Sequence, residues 1–121
     1  FGRFAEESKA YVFGLPGNPV SAFVTWHLFV APAIARWQSG GPVDERLALP
    51  GIHGVSKQRL ENPGDRPHYL RMRWDEATGS LSPSGMQQSH ALFGLSRSEA
   101  LIRLAPGEVV EVGEAIAGWR L

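Results

Sequence analysis

The chain has 121 residues and a mass of 13.2 kDa, the size of one ordinary domain, and 43% hydrophobic with 20% charged residues is a folded composition that excludes intrinsic disorder. Twelve Lys and Arg balance twelve Asp and Glu, so no surplus of cations exists to displace phosphate counterions, and a general nucleic-acid binder is excluded. The absence of cysteine removes disulfides, thiolate metal sites, iron–sulfur clusters and thiol nucleophiles, and is compatible with a reducing cytoplasm.

The first residues, Phe1-Gly2-Arg3-Phe4, carry no initiator methionine and no basic-then-apolar leader, the expectation for a piece of a longer or processed protein. Lys9 to Gly14 is a short β-prone apolar run ended by Pro16-Gly17, which predicts a strand buried on both faces. Pro19 to Trp37 carries Val20, Phe23, Val24, His27, Leu28, Ala31, Ile34 and Ala35 at spacings of three and four, with Trp26, Phe29, Val30, Ala33 and Trp37 on a neighbouring face. That predicts a helix apolar around most of its girth, kinked at Pro32 and stopped by Gly40-Gly41. Ser21, Thr25, His27 and Pro32 interrupt the stretch, so a buried helix is expected and not a membrane span. Such a girth needs cover beyond one strand, from further sequence or a second subunit.

From Pro42 onward the pattern is all-β. His68 to Asp75 alternates, with Leu70, Met72 and Trp74 on one face and Tyr69, Arg71, Arg73 and Asp75 on the other. Glu76-Ala77-Thr78-Gly79 turns that strand into Ser80-Leu81-Ser82. Ala100 to Leu104, the Pro106-Gly107 turn, Val109 to Val112 and Ala115 to Leu121 follow. The fold class expected is therefore α+β: a strand, turn and long helix from the end of an α/β domain over residues 1–41, then a small all-β barrel over 42–121.

The run Gly14 to Ser21 carries most chemistry. Pro16 and Gly17 fit a type II turn, Asn18 is a good N-cap, and Pro19 suits the first helical position. The N–H groups of Val20, Ser21 and Ala22, with the Ser21 hydroxyl, would then form an anion site of the kind that holds phosphate; a rigid turn with a capped helix behind it is the plainer alternative. Arg71 and Arg73, two residues apart on one strand face, offer guanidinium forks for a phosphate or carboxylate, unless that face is simply solvated. Gly85 to His90 is a third candidate, a polar loop with amides, a hydroxyl and an imidazole. His27, His53, His68 and His90 have no mutual ligand spacing, so no metal site is expected on this chain, and no catalytic nucleophile with an oriented base is visible.

Val12 to Ala22 with the apolar helix behind it, and in the second half Arg66-Pro67 through Leu70-Arg71, Gln87 to Leu92, Ala100-Leu101-Ile102 and Pro106-Gly107-Glu108, resemble the molybdopterin molybdotransferase family, the MoeA and gephyrin E-domain group. The resemblance covers nearly the whole chain and implies the C-terminal portion of an enzyme that inserts molybdate into adenylylated molybdopterin with Mg²⁺. It further implies an elongated cytoplasmic homodimer, with molybdopterin adenylyltransferase as a possible partner and neither nucleic acid nor membrane as one. Residue by residue, it places Pro16, Gly17, Asn18, Pro19 and Ser21 in the family's loop near the pterin site, and Arg71 and Ser89 at barrel positions facing the cleft. Gln88 and His90 stand where the family more often has glycines flanking the serine. The acidic residues that the family uses for Mg²⁺ and molybdate fall outside this sequence, so activity is expected of a longer chain. The rival class is a non-catalytic barrel that serves as a scaffold for a protein partner.

Overall fold

The computed structural model describes residues 2–3, 10–40, 49–85 and 92–121. The first strands are short: β1 (Gly2–Arg3) pairs antiparallel with β2 (Tyr11–Val12). Both β2 residues are exposed, each at 42%, against the expectation of a strand buried on two faces. The reason is local, since β2 has one neighbouring strand of two residues among those described, and its main side-chain contact is Tyr11 tilted against Trp37 at 4.2 Å.

The helix begins at Pro19 and runs through α1 (Pro19–Thr25), a π turn (Trp26–Val30) and α2 (Ala31–Ser39), where Gly40 at φ 62° ends it in the left-handed conformation. The expected kink is thus realised as a π turn. Pro32 has no N–H, and its ring would clash with the carbonyl four residues back, so the backbone widens to an i−5 pattern just before it. Only Val30 of this helix is buried; Trp26, Phe29 and Trp37 are exposed at 41%, 62% and 47%.

The second part closes on itself. β3 (Gly51–Ser56), β6 (Ser80–Pro83), β5 (His68–Asp75), β7 (Ala100–Leu104) and β9 (Ala115–Arg120) form a closed barrel in that spatial order, and β9 returns to β3. All pairings are antiparallel except β3 with β6. A small ribbon, β4 (Leu60–Glu61) with β8 (Val109–Val110), lies beside it. Leu70, Met72, Leu81, Ala100, Ile102, Leu104 and Ile116 fill the interior with Leu60 and Val110 from the ribbon, and Ile52 and Trp74 pack against them. Two interior positions are necessarily glycine. A Cβ on Gly54 would lie 2.6 Å from both the Gly79 carbonyl oxygen and the Trp74 ring, and one on Gly118 would overlap the Leu101 carbonyl and the Ile102 side chain.

The strand β5 departs from simple alternation. Leu70, Arg71 and Met72 are all buried, because the 3₁₀ turn Leu92–Arg97 lies over the outer wall of the barrel and against α1. Leu101, paired with Arg71 on that wall, is likewise fully buried. Asn62, 3% exposed, ties the opposite end together: its Nδ2 donates to the carbonyls of Arg66, Ala105 and Leu104, and its Oδ1 accepts from the Gly64 N–H. Its own N–H and C=O bond Glu108 and Gly107, so one side chain fixes both the approach to β5 and the turn after β7. Asp75 caps the β5–β6 hairpin; the Thr78 hydroxyl and the Thr78 and Ala77 N–H groups hold its carboxyl below the ordinary range.

Two expectations follow from this packing. Gly118→Ala overfills the barrel wall where backbone cannot yield, and should lower stability by about 1–3 kcal/mol in urea unfolding. Asn62→Ala strands several buried carbonyls and should cost about 1–3 kcal/mol by the same measurement, with raised amide exchange in the 62–67 and 105–108 turns.

Candidate functional site

The loop before the helix is built around Asn18. Its backbone is extended (φ −74°, ψ 122°), its Oδ1 accepts from the N–H groups of Val20 (3.0 Å) and Ser21 (3.2 Å), and its carbonyl accepts from Ala22 (2.8 Å). Asn18 as N-cap and Pro19 at the first helical turn are therefore seen as expected. Two corrections follow. The three N–H groups expected to receive an anion already have partners inside the loop. Gly17 is not at positive φ, so Pro16-Gly17 is not a type II turn; the extended Asn18 behind it sets the path of the chain into its cap. What remains exposed at this corner is Pro16, Gly17, Pro19 and Ser21, with Asn18 half-buried.

The helix faces the outer wall of the barrel across a cleft with two adjoining depressions. The larger, about 440 Å³, is lined by Val20, Ser21, Val24, Thr25, Leu28, Phe29, His68 and Tyr69. The smaller, about 260 Å³, is lined by His27, Leu28, Phe29, Pro32, Leu49, Tyr69 and Trp119. They share Leu28, Phe29 and Tyr69. The barrel side is an aromatic wall in which the Tyr69 and Trp119 rings lie 6.4 Å apart at 32°. Concave sites that are mostly apolar with a few polar groups at one end are the usual form of a small-molecule pocket. Here the polar end is the larger depression, whose lining includes Ser21, Thr25 and His68.

The predicted site residues divide accordingly. The structure brings Ser21 to the lining of the larger depression, whereas Pro16, Gly17, Asn18 and Pro19 line neither depression and precede it in the chain. Arg71 is not on a solvated face beside Arg73: it is 1% exposed, while Arg73 is open to solvent. Its Nη1 lies beside Gly94, where an added Cβ would come within 3.3 Å, and its carbonyl accepts from both the N–H (3.0 Å) and the hydroxyl (3.1 Å) of Ser84. Ser84 bonds Ser98 at 2.9 Å, and the Ser98 hydroxyl donates to the Gly94 carbonyl at 2.6 Å. The 3₁₀ turn that covers Arg71 is thus held by the strand that carries it, and burial pulls the pKa of the guanidinium below its ordinary value. Ser89, with Gln88 and His90, lies outside the described residues.

Sequence reasoning missed the aromatic wall. Tyr69, Trp119 and Leu49 belong to three separate segments, and only barrel closure brings them together. Among the described residues no three His, Asp or Glu side chains converge to hold a metal ion, so these residues do not fit a Mg²⁺ site. No helix among them is long and apolar enough to cross a membrane.

His27 stacks on Phe23 at 4.5 Å and borders the smaller depression, and burial lowers its pKa below the ordinary 6.5. A folded value below the unfolded one means the unfolded chain binds the proton more tightly. The contribution to stability is therefore complete above about pH 6.5 and is withdrawn as pH falls from there through the lowered folded value. In thermal melts from pH 7.5 to 5, His27→Leu should flatten this dependence.

Residues 53–120 match the family described as MoeA C-terminal region (domain IV). The chain is 36% identical over 103 residues to the molybdenum cofactor synthesis protein cinnamon of Drosophila melanogaster, covering 84% of this chain and 17% of that protein. It is 33% identical over 109 residues to molybdopterin molybdenumtransferase 2 of Mycobacterium tuberculosis, covering 88% of this chain and 26% of the relative. The fold matches the molybdopterin biosynthesis MoeA protein of Pyrococcus horikoshii at a TM-score of 0.69 and 19% identity, over 87% of this chain and 26% of the other. The chain thus spans between 17% and 26% of the length of these curated relatives. With the closed barrel at residues 51–120 coinciding with the matched segment, the chain belongs to the MoeA family of molybdopterin molybdotransferases, as its C-terminal portion.

Proposed function

We propose that these residues form the C-terminal part of a molybdopterin molybdotransferase, and that the cleft between the Asn18-capped helix and the barrel borders the place where adenylylated molybdopterin is held for molybdate insertion. The observation that carries this reading is the coincidence of two things in one cleft: strand residues of the MoeA-like barrel over residues 53–120, and Val20 and Ser21 from the end of the Pro16–Ser21 loop. Here the contribution of the chain is positioning. Ser21 supplies a hydroxyl at the polar end, and Asn18 holds the loop by using the first helical amides itself. Substrate phosphate in this reading meets the Ser21 hydroxyl and the exposed loop surface, since the amides are already bonded. Mg²⁺ and the reacting molybdate are assigned to residues beyond this chain. Arg71 acts indirectly, by anchoring the 3₁₀ turn, and Ser89 is assigned to the substrate site on the family resemblance alone. Homodimer formation, a cytoplasmic location and exchange of substrate with molybdopterin adenylyltransferase belong to the same proposal.

The test is molybdate insertion by the full-length protein. Ser21→Ala leaves the Asn18 cap in place, so its melting temperature should equal wild type while KM for adenylylated molybdopterin rises several-fold. Unchanged KM and kcat would remove Ser21 from the site. A full-length protein that binds no molybdopterin and inserts no molybdate would overturn the enzymatic reading; capture of a protein partner through exposed Trp26 and Phe29 would then support the scaffold class.

A further inference from the structure

The helix departs from α geometry over Trp26–Val30, and the three central residues of that stretch line the cleft. The π turn spans Trp26–Val30, the Ala31 N–H donates to the Trp26 carbonyl five residues back, and Pro32 occupies the second position of α2. Three residues of the turn, His27, Leu28 and Phe29, border the smaller depression with Pro32 itself, and Leu28 and Phe29 also border the larger one. The ends of the helix are held elsewhere: α1 by its Asn18 cap and by the 3₁₀ turn, α2 by Trp37 against Tyr11 and Phe13. One extra residue in the turn rotates α2 relative to α1 by about 100°, one residue's arc of an α-helix. A regular helix between the same anchors would carry Phe29 and its neighbours away from the Tyr69–Trp119 wall. A π turn is less stable than the α turn it replaces and is retained here at a cavity wall.

We propose that Pro32 is a positioning residue: by excluding α-helical continuation it enforces the π turn, which aims His27, Leu28 and Phe29 into the cleft and fixes the shape that the substrate meets. This rests on the cleft being the substrate site, as argued above. Pro32 touches no reacting atom in this account; it acts through the side chains that the turn directs.

The experiment uses the full-length protein with Pro32→Ala and Pro32→Leu. Both regain an N–H and lose the ring constraint, and leucine keeps apolar bulk at the cavity wall, so a change common to both comes from the backbone and not from a lost contact. Crystal structures should show a continuous α-helix through residues 26–32, and melting temperatures should be at or above wild type. The KM for adenylylated molybdopterin should rise about fivefold with kcat little changed, the signature of lost binding shape and not of lost chemistry. A π turn that persists in both variants overturns the role of Pro32. A regular helix with unchanged KM overturns the claim that the turn positions the site. If wild type itself inserts no molybdate, the functional reading fails, while the crystal structures still decide whether Pro32 enforces the turn.

Discussion

Closure of a five-stranded barrel sets the terms for everything else in this chain. So few strands enclose little volume, and the β5–β6 hairpin presses on β3 and the strand β7 on β9, each bringing a backbone carbonyl and a side chain to one point on the barrel wall. Gly54 and Gly118 yield that space, to Trp74 and the Gly79 carbonyl at one position and to Ile102 and the Leu101 carbonyl at the other. Once the wall is closed, Trp119 on β9 and Tyr69 on β5 stand on the same outer surface, from segments fifty residues apart. The aromatic wall is therefore a product of closure. Neither strand alone carries it.

The outer surface is then used twice. Over Arg71 and Leu101 it is covered by the 3₁₀ turn, which converts a strand face into a second, small core with a polar chain from Arg71 through Ser84 and Ser98 to the Gly94 carbonyl. Burying a guanidinium is costly unless its hydrogen-bonding needs are met, so this covering is specific to the groups beneath it. Gly94 is part of that specificity, since a side chain there would press on Arg71. Beside this covered patch, over Tyr69 and Trp119, the wall stays open and faces the helix. Cover and cleft are neighbouring solutions to one problem, the apolar outside of a barrel too small to hide all its large residues within.

How far the sequence disclosed this can be judged residue by residue. The strand His68–Asp75, the hairpin after it, Ala100–Leu104, the Asn18 cap and the helix to Ser39 follow from local signals, namely alternation, turn residues and a three-four spacing, and each is found in place. Gly51–Ser56 is a barrel strand with no such signal, because its two glycines dilute the pattern, Gly54 being the one that the packing requires. Alternation also misplaced Arg71, since it describes two faces of an isolated strand and carries no information about a turn arriving from twenty residues downstream. In the same way, helix periodicity announced a proline kink without revealing the form it takes. That form depends on which carbonyls the neighbouring turns can satisfy.

The loop at the helix start shows how a local rule and a functional expectation compete for the same atoms. An uncapped helix N-terminus offers its amides to an anion, whereas a capped one spends them on its own side chain, and Asn18 does both jobs of a cap by bonding Val20 and Ser21 at once. Such a cap stabilises the helix start by about 1 kcal/mol. It also fixes where the loop sits before any ligand arrives. In the proposed site a substrate would meet the Ser21 hydroxyl and an aromatic wall next to a capped loop, so recognition there would draw on preorganised shape. Cap, π turn and closed barrel thereby act on one surface: the first fixes one end of the helix, the second sets its rotation, and the third supplies the wall it faces.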